Sequence, residues 1–247
     1  MARITKKPEE RRLEIIKTAE KLFRENGFSN TPVDAIIKEM GVAKGTYYYY
    51  FKSKEDVLEA IVEYQLDQLV QMVEQIANDA SMDALTKMRL LLSGSHIGDE
   101  DTKEVIEQLH LPANRELHEV TNIQTVLKLS PIFAKIVEQG NQENVFNTRY
   151  PLETMQFLLT GGQFLLDGGL FNFSEQEIID RRLAMQEIVE KALGAEPGTF
   201  DFMNNTVSEG DKNDQELSIS SHALFCYDLF DNVRPLVCRG IRQFSRG

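Results

Sequence analysis

Two cysteines and no long apolar run define this 247-residue chain first by what it lacks. A membrane-spanning helix needs roughly 18 or more uninterrupted apolar residues, and no window supplies them. The N-terminal MARITKKPEERRLEIIK carries charge where a secretory signal needs an apolar stretch, so a cytoplasmic chain is expected. Cys226 and Cys238 lack the CxxC spacing and read most simply as reduced thiols. Catalytic signatures are missing too: there is no GxSxG, no P-loop, no dinucleotide fingerprint and no HExxH. His118-Glu119 begins that last motif, but position 122 is Asn. The expectation is therefore no enzyme, no cofactor and no metal. No segment alternates long enough for a convincing strand and no internal repeat is visible, so an all-α chain is expected.

Positive charge is also scarce, with a net charge of −12, but its distribution matters more than its total. Residues 1–56 carry 12 Lys+Arg against 9 Asp+Glu, and the remainder carries 15 against 30. A mildly basic head on a strongly acidic body confines any affinity for a polyanion to one end.

What is present is a well-punctuated series of helices. Pro8, Glu9 and Glu10 suit a helix start and Asn26-Gly27 a stop, with Leu13, Ile16, Ala19, Leu22 and Phe23 forming one buried stripe. Thr31-Pro32-Val33-Asp34 reads as a second start, with the Thr31 hydroxyl accepting from the third helical N–H and Pro32 in the first turn. Val33, Ile36, Ile37 and Met40 give that helix its apolar face. Gly41 permits a sharp turn, a second short helix begins near Ala43 or Lys44, and Ser53-Lys54-Glu55-Asp56 launches a long helix to about Asp79. Two short helices flanking a glycine turn, supported by a longer one, make a helix-turn-helix.

The second short helix contains KGTYYYYF, residues 44–51. Successive helical side chains point about 100° apart, so four tyrosines in a row cannot all be buried. Tyr47 and Phe51 share one face and are assigned to the core with Ile36 and Met40. In a major groove, Lys44 would donate to guanine O6 or N7 and Thr46 would offer its hydroxyl or touch a thymine methyl. Gly45 would allow close backbone approach, which justifies its cost of about 1 kcal/mol in helix propensity. Tyr48, Tyr49 and Tyr50 would grip phosphates and sugars, positioning without reading. Lys54, in the first turn of the next helix, would face a phosphate with its ammonium and its N–H. The alternative for Tyr48 and Tyr50 is a seam against the rest of the chain.

These residues give the chain its resemblance to the TetR family of transcriptional regulators, carried by AEKLFRENGFSNTPVDAI and GVAKGTYYYYFKSKEDVL. It is specific over about residues 9–62 and looser to about 195, where IVEQGNQENVFNTRYPLETMQFLL is similar to a common stretch of such regulators. The resemblance implies a three-helix DNA-binding head, a connecting fourth helix, and an effector-binding body that dimerises through its last two helices. It also implies a phosphate contact at Thr31, and it matches Lys44, Gly45 and Thr46 to base reading and Tyr48, Tyr49, Tyr50 and Lys54 to phosphates. Ala43 departs from it, standing where a serine cap is usual.

The expected domains are a helix-turn-helix head over 1–53, a helical effector-binding and dimerisation body over 54–195, and a polar tail over 196–247. Within the body, helices are expected near 82–94, 101–117, 119–138, 152–171 and 175–193. The Gly161-Gly162 pair would let another helix approach, so Leu158, Gly161, Gly162, Leu165, Ile179 and Leu183 are expected at a homodimer interface. A small apolar effector is expected in a pocket among residues 82–165. His96, His110, His118 and Met88 lie in these middle helices with Asn114 and Arg115 nearby, and a lone histidine there reads as a helix-end or surface residue rather than a metal ligand. The reading is a dimeric repressor that binds a palindromic double-stranded operator and is released by that effector. A helical adaptor or chaperone-like protein without DNA binding is the alternative, with a metal-responsive regulator behind it.

Overall fold

Residues 7–92, 115–165, 171 and 173–204 are described by a computed structural model of the chain. They form eight α-helices and, among the described residues, no strand, as the all-α expectation requires. The helices are α1 Pro8–Asn26, α2 Val33–Met40, α3 Lys44–Tyr50, α4 Lys54–Asn78, α5 Ala84–Leu92, α6 Arg115–Gln142, α7 Pro151–Leu165 and α8 Glu175–Leu193. A 3-10 turn, Asp201–Met203, follows. Residues 101–114 of one expected helix lie outside the described residues, as do His96, His110, Asn114, Cys226, Cys238 and the arginines at 234, 239, 242 and 246.

Two compact units divide the chain: residues 1–67 with 99–121, and residues 68–98 with 122–247. The first unit is built on α1, whose Ile15, Ile16, Ala19 and Phe23 are buried. Ile36 of α2 and Tyr47 of α3 close on that stripe, with Phe51 beside them. The unit reaches beyond the boundary expected at residue 53, because Val57, Leu58, Ile61 and Val62 of α4 belong to the same core. Gly41, at φ 63°, makes the turn between α2 and α3 in the left-handed region that glycine tolerates.

Helix α6 starts among the residues of the first unit and ends among those of the second, unbroken at 118 where a boundary is expected, and it contains Pro131. Proline removes one main-chain donor from the helix interior. One residue earlier, the Ser130 hydroxyl donates to the Val126 carbonyl at 2.6 Å. At the end of α6, Gly140 lies so close against the Phe146 ring that a Cβ there would clash with it. Phe146 in turn stacks on Phe200 at 5.9 Å.

Phe200 corrects the expected tail. Residues 196–204 read as polar linker, yet Phe200 is fully buried. The Glu190 carboxylate of α8 accepts the N–H groups of Gly198 and Phe200, each at 3.0 Å. Burial pushes the Glu190 carboxyl up, but these donors and Gln186 outweigh it and hold it below the usual glutamate value. The packed chain thus extends at least to Asn204.

Truncating a buried phenylalanine costs about 3–5 kcal/mol through lost burial and the cavity left behind. Phe200→Ala is expected to lower the unfolding free energy by about 3 kcal/mol, read from a urea midpoint. A loss below about 0.5 kcal/mol would return residue 200 to the tail.

Candidate nucleic-acid interface

The phase of α3 decides which side chains it offers. Tyr47 is wholly buried, and its hydroxyl donates to the Ser53 carbonyl at 3.2 Å. Burial first, and then Tyr48, Asp56 and Glu55, push the Tyr47 phenol up to about 12, so it remains a neutral donor. With Tyr47 and Phe51 turned inward, Lys44, Gly45, Tyr48 and Tyr49 are exposed and Thr46 is half-buried. Tyr49 is 78% exposed and stands edge-on to Tyr50 at 4.9 Å. Tyr50 itself packs partly against the core, and Tyr48 meets the Tyr47 ring at 5.4 Å. A Cβ at Gly45 would meet nothing within 4 Å, so the space outside that backbone is open.

Lys44 has a partner that sequence reasoning missed. Its ammonium lies 3.1 Å from Oδ1 of Asp34, in the first turn of α2, and 5.8 Å from the centre of the Tyr48 ring. The hydrogen bond that Lys44 donates to Asp34, then the charge of Asp34 and of Tyr48, raise the Lys44 pKa above the ordinary lysine value. The ten-residue separation across a turn carries no periodic signal, so only the fold brings this pair together. Asp34 had been expected to support the start of its own helix.

Thr31 requires a correction. Pro32 is the N-cap of α2 and no side chain caps it. The Thr31 hydroxyl instead donates to the carbonyls of Leu22 and Gly27, at 3.1 and 2.8 Å, and the residue is 1% exposed. Its N–H bonds to the Phe28 carbonyl at 3.2 Å. Thr31 ties the end of α1 to the loop, and it offers a phosphate neither its hydroxyl nor its N–H.

Lys54 is also engaged. Its ammonium donates to the Phe28 carbonyl at 2.6 Å and lies 4.1 Å from that ring's centre. Ser53 caps the helix that Lys54 begins, its Oγ accepting the Asp56 N–H at 3.0 Å. Asp56 in turn accepts the Ser53 hydroxyl and the Lys52 N–H, which hold its carboxyl below the usual aspartate value.

The expected dimer residues divide. Leu158 is 6% exposed and Gly162 is buried, so both belong to the interior of the chain rather than to its surface. Gly161 borders open space, and Leu165, Ile179 and Leu183 are exposed. Phe157, one position from the expected Leu158, is 81% exposed, and Phe164 is exposed as well. Periodicity identifies an apolar stripe on such a helix but does not say which side faces inward.

In the expected effector region, Met88 and His118 are buried. Residues 93–114, which the expected pocket needs, lie outside the described residues. Among the described residues no three His, Cys, Asp or Glu side chains gather as metal ligands would. No described helix is long and apolar enough to cross a membrane.

The chain matches two family models: "Bacterial regulatory proteins, tetR family" over residues 15–61, and "Tetracyclin repressor-like, C-terminal domain" over 99–188. It is 32% identical over 113 residues to the fatty acid metabolism regulator protein of Bacillus subtilis, covering 44% of this chain and 58% of that protein. It is 45% identical over 53 residues to the uncharacterised HTH-type regulator YuxN of the same organism, covering 22% and 18%. The chain thus spans less than two thirds of these curated relatives. Among solved structures, a transcriptional regulator of Cytophaga hutchinsonii aligns with a TM-score of 0.51 at 21% identity, over 73% of this chain and 95% of that one. The SmeT–triclosan complex aligns with a TM-score of 0.50 at 20% identity, over 77% and 94%. At such identities the two structures bear on the fold alone.

Two substitutions check the local chemistry. Thr31→Val keeps the shape but removes the one hydroxyl proton that the Leu22 and Gly27 carbonyls share, and only Leu22 keeps another side-chain donor, Asn26, so a loss of about 1–3 kcal/mol in unfolding free energy is expected; no change would mean the hydroxyl is dispensable. For Asp56, the depressed folded pKa stabilises above the ordinary value of 3.8, and that contribution is lost as pH falls through the lower folded value. Ser53→Ala should therefore move the Asp56 pKa upward in an NMR titration and raise the pH midpoint of acid unfolding.

Proposed function

Because the chain belongs to the tetR family of bacterial regulatory proteins, we propose that it is a dimeric, DNA-binding transcriptional repressor released by a small apolar effector. The observation that carries this reading is the outward set on α3. Lys44, Gly45 and Tyr49 stand free of the core that Tyr47 and Phe51 anchor, on the second helix of a helix-turn-helix. Such a helix enters the major groove and presents its N-terminal residues to base edges. In this reading Lys44 and Thr46 face bases, and Gly45 lets the backbone approach. Tyr48, Tyr49 and Tyr50 lie toward the sugar-phosphate rim, where they fix register. The ammonium of Lys54 reaches a phosphate only by leaving Phe28, so the N–H groups of the first turn of α4 are the better contact there.

Paired heads fit an operator whose half-sites are about 34 Å apart. The homodimer proposed here uses Gly161 and Leu165 with Ile179 and Leu183, and it adds Phe157 in place of the buried Leu158. An effector that favours a body conformation with displaced heads releases the operator. Reversing a 1:99 population takes about 5.5 kcal/mol of differential binding. Helix α4 begins in the first unit and ends in the second, so it is the covalent route for that shift.

A gel shift on duplex DNA from the protein's own upstream region tests the reading, and salt-sensitive binding is expected. Lys44→Ala and Thr46→Ala should relax base preference, whereas Tyr49→Phe should weaken specific and random duplexes alike. Equal losses on both duplexes for all three variants would contradict that division. Absence of binding to any upstream duplex would favour the helical adaptor instead. Leu183→Glu should convert the dimer to a monomer in sedimentation and lower operator affinity; an unchanged dimer would move the interface elsewhere.

A further inference from the structure

The ion pair between Lys44 and Asp34 bridges the two helices of the DNA-binding motif, and an exposed pair of this kind adds little stability. Its geometry suggests another use. The ammonium is held at a defined point, between a carboxylate 3.1 Å away and the Tyr48 ring at 5.8 Å. Lysine alone is a flexible point charge, so tethering it gives direction to its donors. Only Oδ1 of Asp34 meets Lys44, and the Asp34 side chain is 73% exposed, so the carboxylate retains acceptor capacity.

We propose that Asp34 is a specificity-determining residue that, together with Lys44, reads a single G·C base pair. The inference rests on the DNA-binding reading given above. In the major groove a G·C pair presents guanine N7 and O6 as acceptors beside the cytosine N4 amino donor. O6 and N4 are themselves joined by a Watson–Crick hydrogen bond of about 2.9 Å. A cation and an anion 3.1 Å apart match that edge side by side. Lys44 donates to N7 and O6 while Asp34 accepts from N4.

The other base pairs fit less well. T·A keeps an acceptor beside a donor in the same order, but a methyl group replaces N7 on the lysine side. Adenine N7 then faces the carboxylate as a second acceptor. C·G and A·T reverse the order and set like against like. On random DNA, Asp34 is a negative charge near phosphates, so the same residue that sharpens selection also weakens indiscriminate binding.

The test is selection from a randomised duplex pool with the full chain, followed by titration of single-base-pair variants using fluorescence anisotropy. The wild type should enrich one G·C pair per half-site and prefer it over T·A by roughly tenfold or more. Lys44→Ala and Asp34→Ala should both lose preference at that same pair and keep it elsewhere. Asp34→Ala should also bind random duplexes more tightly than the wild type. Asp34→Asn should shift the preference toward T·A, because an amide pairs with adenine N6 and N7; a purely structural role for Asp34 would not move it so. The proposal is overturned if Asp34→Ala keeps the wild-type preference at every position, or if the positions affected by the two alanine variants differ. A wild-type chain that enriches no duplex at all would remove the regulator reading itself, an outcome separate from a selective failure at Asp34.

Discussion

Burial of one tyrosine ring governs everything that the first unit presents to its surroundings. Tyr47 shares one core with Ile36 and Phe51, its ring 6.2 Å from that of Phe51, and its phenol reaches the Ser53 carbonyl. A seven-residue helix has too few internal hydrogen bonds to hold its own orientation. The Tyr47 anchor supplies the missing constraint, and 100° per residue does the rest. Arg12, 5.3 Å from the centre of the Phe51 ring, and Lys54, clamped on Phe28, brace the same corner from α1 and α4. Rotating α3 by one residue would bury Tyr48, expose Tyr47 and turn Lys44 away from Asp34.

Much of this was legible in the sequence because its boundaries carry chemical markers. Pro8 fixes its own φ, Gly27 and Gly41 permit the positive-φ turns that end their helices, and the Ser53–Asp56 cap bonds within four residues, so each marker acts locally and survives folding unchanged. The Tyr47–Phe51 spacing likewise separates inward from outward tyrosines without any knowledge of tertiary structure. Thr31 failed for the opposite reason. Its sequence context offers a helix start, but two carbonyls nine and four residues upstream were stronger claimants for its hydroxyl. Lys54 followed the same pattern, captured by a carbonyl 26 residues away.

The body was less legible because its signals are ambiguous rather than absent. Leu158 and Phe157 are adjacent apolar residues, and only packing decides that the leucine goes inside. The segment after Gly194 is polar and turn-rich, which usually means no core to join. Here one phenylalanine finds Phe146, and a glutamate ten residues upstream supplies acceptors for the intervening main chain. Composition averages such a segment, whereas its placement depends on two residues.

A last consequence concerns Lys87, a buried charge in α5. Its ammonium donates to the Ala77 carbonyl in the last turn of α4 and to Gln139 of α6, at 2.8 and 2.7 Å. Gln139 also donates to Glu143, which accepts the first N–H of α5. Sliding the end of α4 along its axis would strip Ala77 from the ammonium and strand a desolvated cation. That terminus is therefore pinned to α5 and α6 like a bolt in its socket, so those three helix ends travel as a block or not at all.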